Sequence, residues 1–221
     1  VYFLSHRRSV QPAHPTKKIV TRLAHEIILI ATQWYRRDCR ESTENRGVCV
    51  DEIHERFSPS WIAQKRAEAW CAKYAWVVVD EACQRLGIHN VLPKTASAVG
   101  MRDRSSGVIR VDTTPAVGSV FYRRSSSPGS SGHVGIVTAV TADKIFTNEG
   151  NLDDRVALHY YPERQVRDPA WRFSFIHTEL IGGGGGSYSG STLLAGTSVL
   201  PALLLMSAGV GLAYTMWGRR R

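Results

Sequence analysis

Cys71, His133, Glu149 and Asn151 occur in that order along the chain and are residue types that thiol-dependent acyl transfer uses. A cysteine nucleophile needs a base to take its proton, a group to orient that base, and donors for the oxyanion that forms on the attacked carbonyl. Cys71 stands in WCAKYAWVVVDEAC, at the front of an apolar helical run. It reads in two ways. One is a buried packing thiol. The other is a nucleophile at a helix N-terminus, where unpaired amides and the helix dipole favour the thiolate and can receive an oxyanion. Among the eight histidines, His133 opens the strand-like run GHVGIV. Gly132 permits a close approach before it, Gly135 keeps the neighbouring backbone open, and strand alternation fixes which way the ring points. Most of the other histidines sit in polar or loop positions with no supporting group. The run TNEGN follows one strand later, and Glu149 and Asn151 are each able to accept the His133 N–H and hold its tautomer. Lys73, close behind the cysteine, either faces solvent or adds positive potential that favours a thiolate.

The elements that must place these residues follow from periodicity. Over residues 16–37, Ile19, Leu23, Ile27, Ile30 and Trp34 share one side of a helix. Residues 38–60 are polar and irregular apart from a turn of helix around 50–57. SPSW at 58–61 suits a helix start, and periodicity alone permits one helix from there to the Gly87 stop. Residues 93–118 are punctuated by proline and glycine and read as loop, with VIRV at 108–111 the only strand-like piece. The period then becomes two: GSVFY, GHVGIVTAV, KIFT, VALHYY and WRFSFIH are short runs parted by turn residues, as in an antiparallel sheet. Helices followed by strands predict one α+β domain over residues 16–180. A flexible terminus over 1–15 precedes it, and a Gly/Ser-rich linker over 181–190 follows.

The motifs WCAKYAWVVVDEACQRLG, PAVGSVFYRR, SSGHVGIVTAV and IFTNEGN together resemble the CHAP family of cysteine amidohydrolases and peptidases, within the papain-like cell-wall hydrolases. The likeness covers residues 41–177. It implies a papain-like α+β fold with N-terminal helices packed on an antiparallel β-sheet. It also implies that Cys71 is the nucleophile, His133 the general base and acid, Glu149 the residue orienting His133, and Asn151 an auxiliary polar group. It places the start of the catalytic helix near Trp70 and leaves 60–68 as a separate turn or short helix. The upstream ENRGVCVDE is similar to the segment that leads into the catalytic cysteine of wall-degrading members. One departure is Gly118-Ser119, where the family often has Gly-Asp; the serine hydroxyl is expected to cap the turn instead. The implied reaction is hydrolysis of an amide in peptidoglycan, with no metal and no cofactor. Trp61, Trp70 and Tyr122 are expected either at the cleft walls or in the core.

Charge and hydropathy set the expected surroundings. A net charge of +9 draws the chain to polyanions, including the acidic polymers of a cell envelope. Basic residues are scattered, and no zinc-finger, Walker or dinucleotide-binding pattern occurs, so no specific nucleic acid is expected. Four cysteines are too few for a disulfide scaffold, though Cys39 and Cys49 flank a polar turn and suit a local disulfide in an exported domain. VYFLSHRRSVQPAHP has no apolar run long enough for a secretory signal. Residues 191–217 carry no charge and are long enough to cross a bilayer, since about 20 residues suffice. GRRR at 218–221 forms a basic flank. The combined expectation is a single-pass, membrane-anchored lysin in a virion or bacterial cell membrane, associated with a bacteriophage. The rival expectations are a non-catalytic structural virion protein with the same fold, and a cellular membrane-bound thiol hydrolase.

Overall fold

A computed structural model describes residues 22–60, 68–124 and 132–179. The N-terminal residues 1–15, the linker, the membrane segment 191–217, the basic tail and Trp61 lie outside the described residues. Among those described, no helix is long and apolar enough to cross a membrane.

The architecture is α+β. The helices are α1 (Arg22–Arg36), α2 (Val48–Phe57), α3 (Cys71–Arg85), α4 (Ala98–Ser105) and the single turn α5 (Glu163–Val166). The strands are β1 (Val111–Asp112), β2 (Val120–Arg123), β3 (His133–Val140), β4 (Lys144–Leu152), β5 (Arg155–Pro162) and β6 (Ser174–Ile176). They form one sheet in the order β1-β6-β2-β3-β4-β5, with every neighbouring pair antiparallel. The β4–β5 turn places Asp153 and Asp154 at φ 49° and 61°. Two consecutive positive φ values suit the right-handed twist of a tight hairpin, and aspartate tolerates them better than most residues.

Helix α1 buries Leu23, Ile27, Ile30 and Trp34, the part of the expected stripe that lies within the described residues. They pack with Tyr74, Val77 and Val78 of α3 and with Val134 and Ile136 of β3 in the main core. Helix α3 is apolar nearly all round because it is buried nearly all round. A second, smaller cluster of Phe121, Val137, Ile145, Tyr161, Phe173 and Phe175 forms on the sheet. Asn148 joins three elements: it accepts from the Tyr74 hydroxyl (2.6 Å) and donates to the Ala31 carbonyl (2.9 Å).

Two sequence expectations change. Residues 98–105 form a helix inside the stretch read as loop, capped by Ser97 Oγ accepting from the Gly100 amide (3.0 Å). Strand β4 runs past KIFT through the polar TNEGN to Leu152, with its register broken between Glu149 and Leu152. Of the two places expected for Trp70 and Tyr122, both take the core, 0% and 2% exposed. At the Gly118-Ser119 turn, Gly118 has φ +83° and the Ser119 hydroxyl donates to the Ala116 carbonyl (2.6 Å), so serine satisfies the turn as expected.

Gly150 sets the distance between β4 and the start of α3. A Cβ there would lie 2.5 Å from Tyr74 Cβ and 2.8 Å from Trp70 Cζ3, inside a packed wall with no room to yield. Gly150→Ala is therefore expected to lower unfolding free energy by about 1–3 kcal/mol, as overpacking does, and to depress activity by displacing Trp70 from β4. Urea unfolding of the variant measures the first effect.

Candidate active site

Helix α3 begins at Cys71, with Trp70 as its N-cap, so the helix start lies where the family resemblance places it and not near Ser60. The first turn closes with the Tyr74 N–H bonded to the Trp70 carbonyl (2.8 Å). The Cys71 amide precedes that bond and has no carbonyl within the helix to bond. Cys71 is a free cysteine, 8% exposed.

His133 is the first residue of β3 and sits against Phe121, with ring centroids 6.0 Å apart. Its Nε2 meets Glu149 Oε2 at 2.7 Å. That contact commits Nε2, so Nδ1 is the nitrogen left for the thiol. Burial pulls the His133 pKa down, but hydrogen bonds from the ring to Cys71 and to Glu149, with the negative charge of both, outweigh it, pushing the imidazole up to about 9. Glu149 thus orients the ring, while Cys71 and Glu149 both favour its protonated form.

Glu149 is fully buried, and each of its oxygens accepts from a side-chain donor. Thr147 Oγ1 donates to Oε1, while His133 and the Tyr161 hydroxyl (3.2 Å) share Oε2. Burial, reinforced by the Glu149 charge, pushes the Tyr161 phenol well up, so it stays a donor. Arg123 donates to the phenol oxygen (3.1 Å) and stacks its guanidinium over the Tyr161 ring. Gly135 makes room for this arrangement: a Cβ there would lie 2.7 Å from Glu149 Cγ and from Phe121 Cε1.

Asn151 goes elsewhere. In sequence it rivals Glu149 as the partner of His133, but the break in β4 puts it at φ 59° and turns it toward the front of α3. With its amide oriented to suit its neighbours, it donates to Glu41 Oε1 (3.2 Å) and accepts from the Trp70 backbone N–H (3.2 Å). It thereby holds the start of α3 from β4.

Beside the site lie Lys73 and a histidine that the sequence does not single out, His54. Lys73 neither faces solvent nor stands as an isolated charge: it is 1% exposed, donates to Glu68 Oε2 (2.8 Å) and meets His54 Nδ1 at 2.9 Å. His54, fully buried on α2, also places Nε2 3.2 Å from the Asn45 carbonyl. Burial and the Lys73 charge hold it down at about 4, so it is neutral, with Nε2–H donating and Nδ1 accepting. Cys39 and Cys49 are joined by a disulfide, their Cα atoms 5.3 Å apart.

The description CHAP domain belongs to the family model that matches residues 63–151, a span that holds Cys71, His133, Glu149 and Asn151. Similar solved structures include the crystal structure of Ly7917 with the hydrolyzing product of MDP, at 15% identity and TM-score 0.37, covering 70% of this chain and 63% of that one. The crystal structure of Ly7917 is similar at the same identity and TM-score, covering 69% and 61%. The chain thus spans less than two thirds of the length of these structures. No curated protein matches the sequence.

Proposed function

We propose that this CHAP domain hydrolyses an amide bond of peptidoglycan, with Cys71 as nucleophile, His133 as general base and acid, and Glu149 orienting His133. The observation that carries this reading is the His133 imidazole, engaged by Glu149 at 2.7 Å and raised by both Glu149 and Cys71. Within the CHAP match, these are the groups that a thiol hydrolase needs.

The steps follow from the geometry. His133 takes the Cys71 proton, and the sulfur attacks the amide carbon. The tetrahedral oxyanion is received by the amide at the start of α3, where the helix dipole also favours negative charge. The C–N bond breaks as His133 gives its proton to the leaving amine, which leaves a thioester on Cys71. Water then loses a proton to His133 and attacks the thioester, releasing a carboxylate and regenerating the thiol pair. Asn151 holds the Trp70 amide, and so the helix end, in place through this cycle.

The surroundings belong to the same proposal. The +9 charge favours anionic envelope polymers, and the uncharged run 191–217 anchors the domain in a virion or bacterial cell membrane, as for a phage lysin. Incubating membrane and soluble fractions of expressing cells with purified peptidoglycan tests both parts. The expected result is release of free amino groups without new reducing sugar ends, concentrated in the membrane fraction, with mass spectrometry of the fragments naming the bond. No release from walls of several hosts would favour a structural role for the fold, and activity confined to the soluble fraction would remove the anchor.

A further inference from the structure

We propose that Glu41 is a positioning residue for Cys71: its carboxylate ties the disulfide-closed loop 39–49 to the residue that starts the catalytic helix. The proposal rests on the reading of Cys71 as the reactive thiol.

The loop is fixed at its base before it reaches the site. Cys39 and Cys49 are bonded to each other, the Cys39 carbonyl accepts from the Val156 amide (2.8 Å), and the Glu41 amide donates to the Asp154 carbonyl (2.8 Å). Within the loop, Ser42 and Arg46 exchange a backbone bond (2.8 Å), and Asn45 adopts φ 53°. Glu41 is thereby held at one place by main chain alone.

Its side chain meets three N–H donors. Oε1 accepts from the Trp70 indole Nε1 (2.8 Å) and from the Asn151 amide (3.2 Å), and Oε2 accepts from the Asn45 backbone N–H (2.5 Å). Asn151 in turn accepts from the Trp70 backbone N–H (3.2 Å). Trp70, fully buried and directly before Cys71, is gripped through both its ring and its main chain. The same loop reaches the other flank of the cysteine. The Asn45 carbonyl accepts from His54, whose other nitrogen meets Lys73, two residues after Cys71. An attacking sulfur displaced by about 1 Å is enough to cost on the order of 100-fold in rate. A clamp on both flanks is the means by which this fold avoids that displacement.

The ligand set also decides which substitution is informative. Three donors converge on two oxygens, so a carboxylate satisfies all of them. A glutamine brings one oxygen and an NH2 group, which leaves a donor facing a donor. Glu41→Gln is therefore expected to behave almost as Glu41→Ala does, despite its matching size.

The test is the rate of iodoacetamide alkylation of the full chain, followed by intact mass spectrometry from pH 5 to 10, with folding checked by circular dichroism. Cys71 is 8% exposed and Cys83 0%, so the first adduct reports Cys71. The expected result is that E41Q and E41A slow alkylation at pH 7 by about tenfold and shift its pH dependence toward that of H133A, consistent with a loosened thiol–imidazole pair. Should the Glu41 variants fail to fold, Trp70→Phe removes the indole donor while keeping most of the ring's bulk, and a change in the same direction is expected. A folded E41Q or W70F whose profile superimposes on wild type would overturn the proposal alone, provided that the wild-type profile depends on His133. A wild-type profile that H133A leaves unchanged would overturn the catalytic reading and the proposal with it.

Discussion

Cys71→Ala is expected to lower amide hydrolysis by on the order of 10^4-fold or more, since removing the nucleophile of such a unit costs nearly as much as removing the unit. The fold should survive. Cys71 is the first residue of α3, alanine is the best helix former, and the side chain removed is small. What the substitution removes besides the sulfur is one of the two groups that hold a proton on His133. The remaining imidazole keeps its Glu149 contact but has no thiol to deprotonate, so binding of peptidoglycan should persist while turnover stops. Release of amino groups from purified walls, measured beside the thermal melt, checks both halves. A folded C71A protein that still releases amino groups would move the chemistry to another residue.

The parts of this molecule that the sequence exposes are those where one local rule acts alone. Alternation in GHVGIVTAV and VALHYY marks β3 and β5, and the stripe from Leu23 to Trp34 marks α1, because in each case a single face is buried against a single neighbour. The start of α3 is invisible to periodicity, since residues before Trp70 continue the same apolar pattern; only the likeness to the CHAP motifs moves the boundary to Cys71. The front of the site is hidden for a different reason. Periodicity ends the strand at KIFT because the residues of TNEGN are polar, yet β4 continues through them, with Thr147, Asn148 and Glu149 all buried. In a regular strand Glu149 and Asn151 would share a face, which is why both compete for His133 on paper. The register break after Glu149 separates them, and Asn151 holds the start of α3 instead. His54 reads as an ordinary polar residue, and Lys73 either as solvent-facing or as a positive charge favouring the thiolate. The available signal is the company Lys73 keeps, between Trp70, Tyr74, Trp76 and Val77 on a helix that is apolar on every side.

Glu149→Gln is expected to cost on the order of 10^4-fold in kcat, the scale on which loss of an orienting carboxylate acts in comparable triads. Glu149 is sealed from solvent and receives donors from His133, Thr147 and Tyr161. A glutamine must direct its NH2 at one of these donors, so either the ring loses its orientation or a buried polar group loses its partner. The pH dependence should move as well, and its sign is fixed. In the wild type, His133 holds its proton up to about 9 because Cys71 and Glu149 outweigh the opposing effect of burial. The proton that His133 delivers to the leaving amine is therefore available below that pH and lost as pH rises through it. With the Glu149 charge removed, burial counts for more and the alkaline limb of kcat should move to lower pH. The same shift has a stability counterpart. A histidine raised from 6.5 to about 9 stabilises the folded state fully below its unfolded value, and that contribution disappears as pH climbs from 6.5 through 9. The wild type should lose melting temperature across that window, and E149Q should lose less. Profiles of kcat on a soluble wall fragment and of melting temperature, both from pH 6 to 10, test the pair of shifts together. A limb that stays where the wild type has it would mean that Glu149 orients the imidazole without holding its proton.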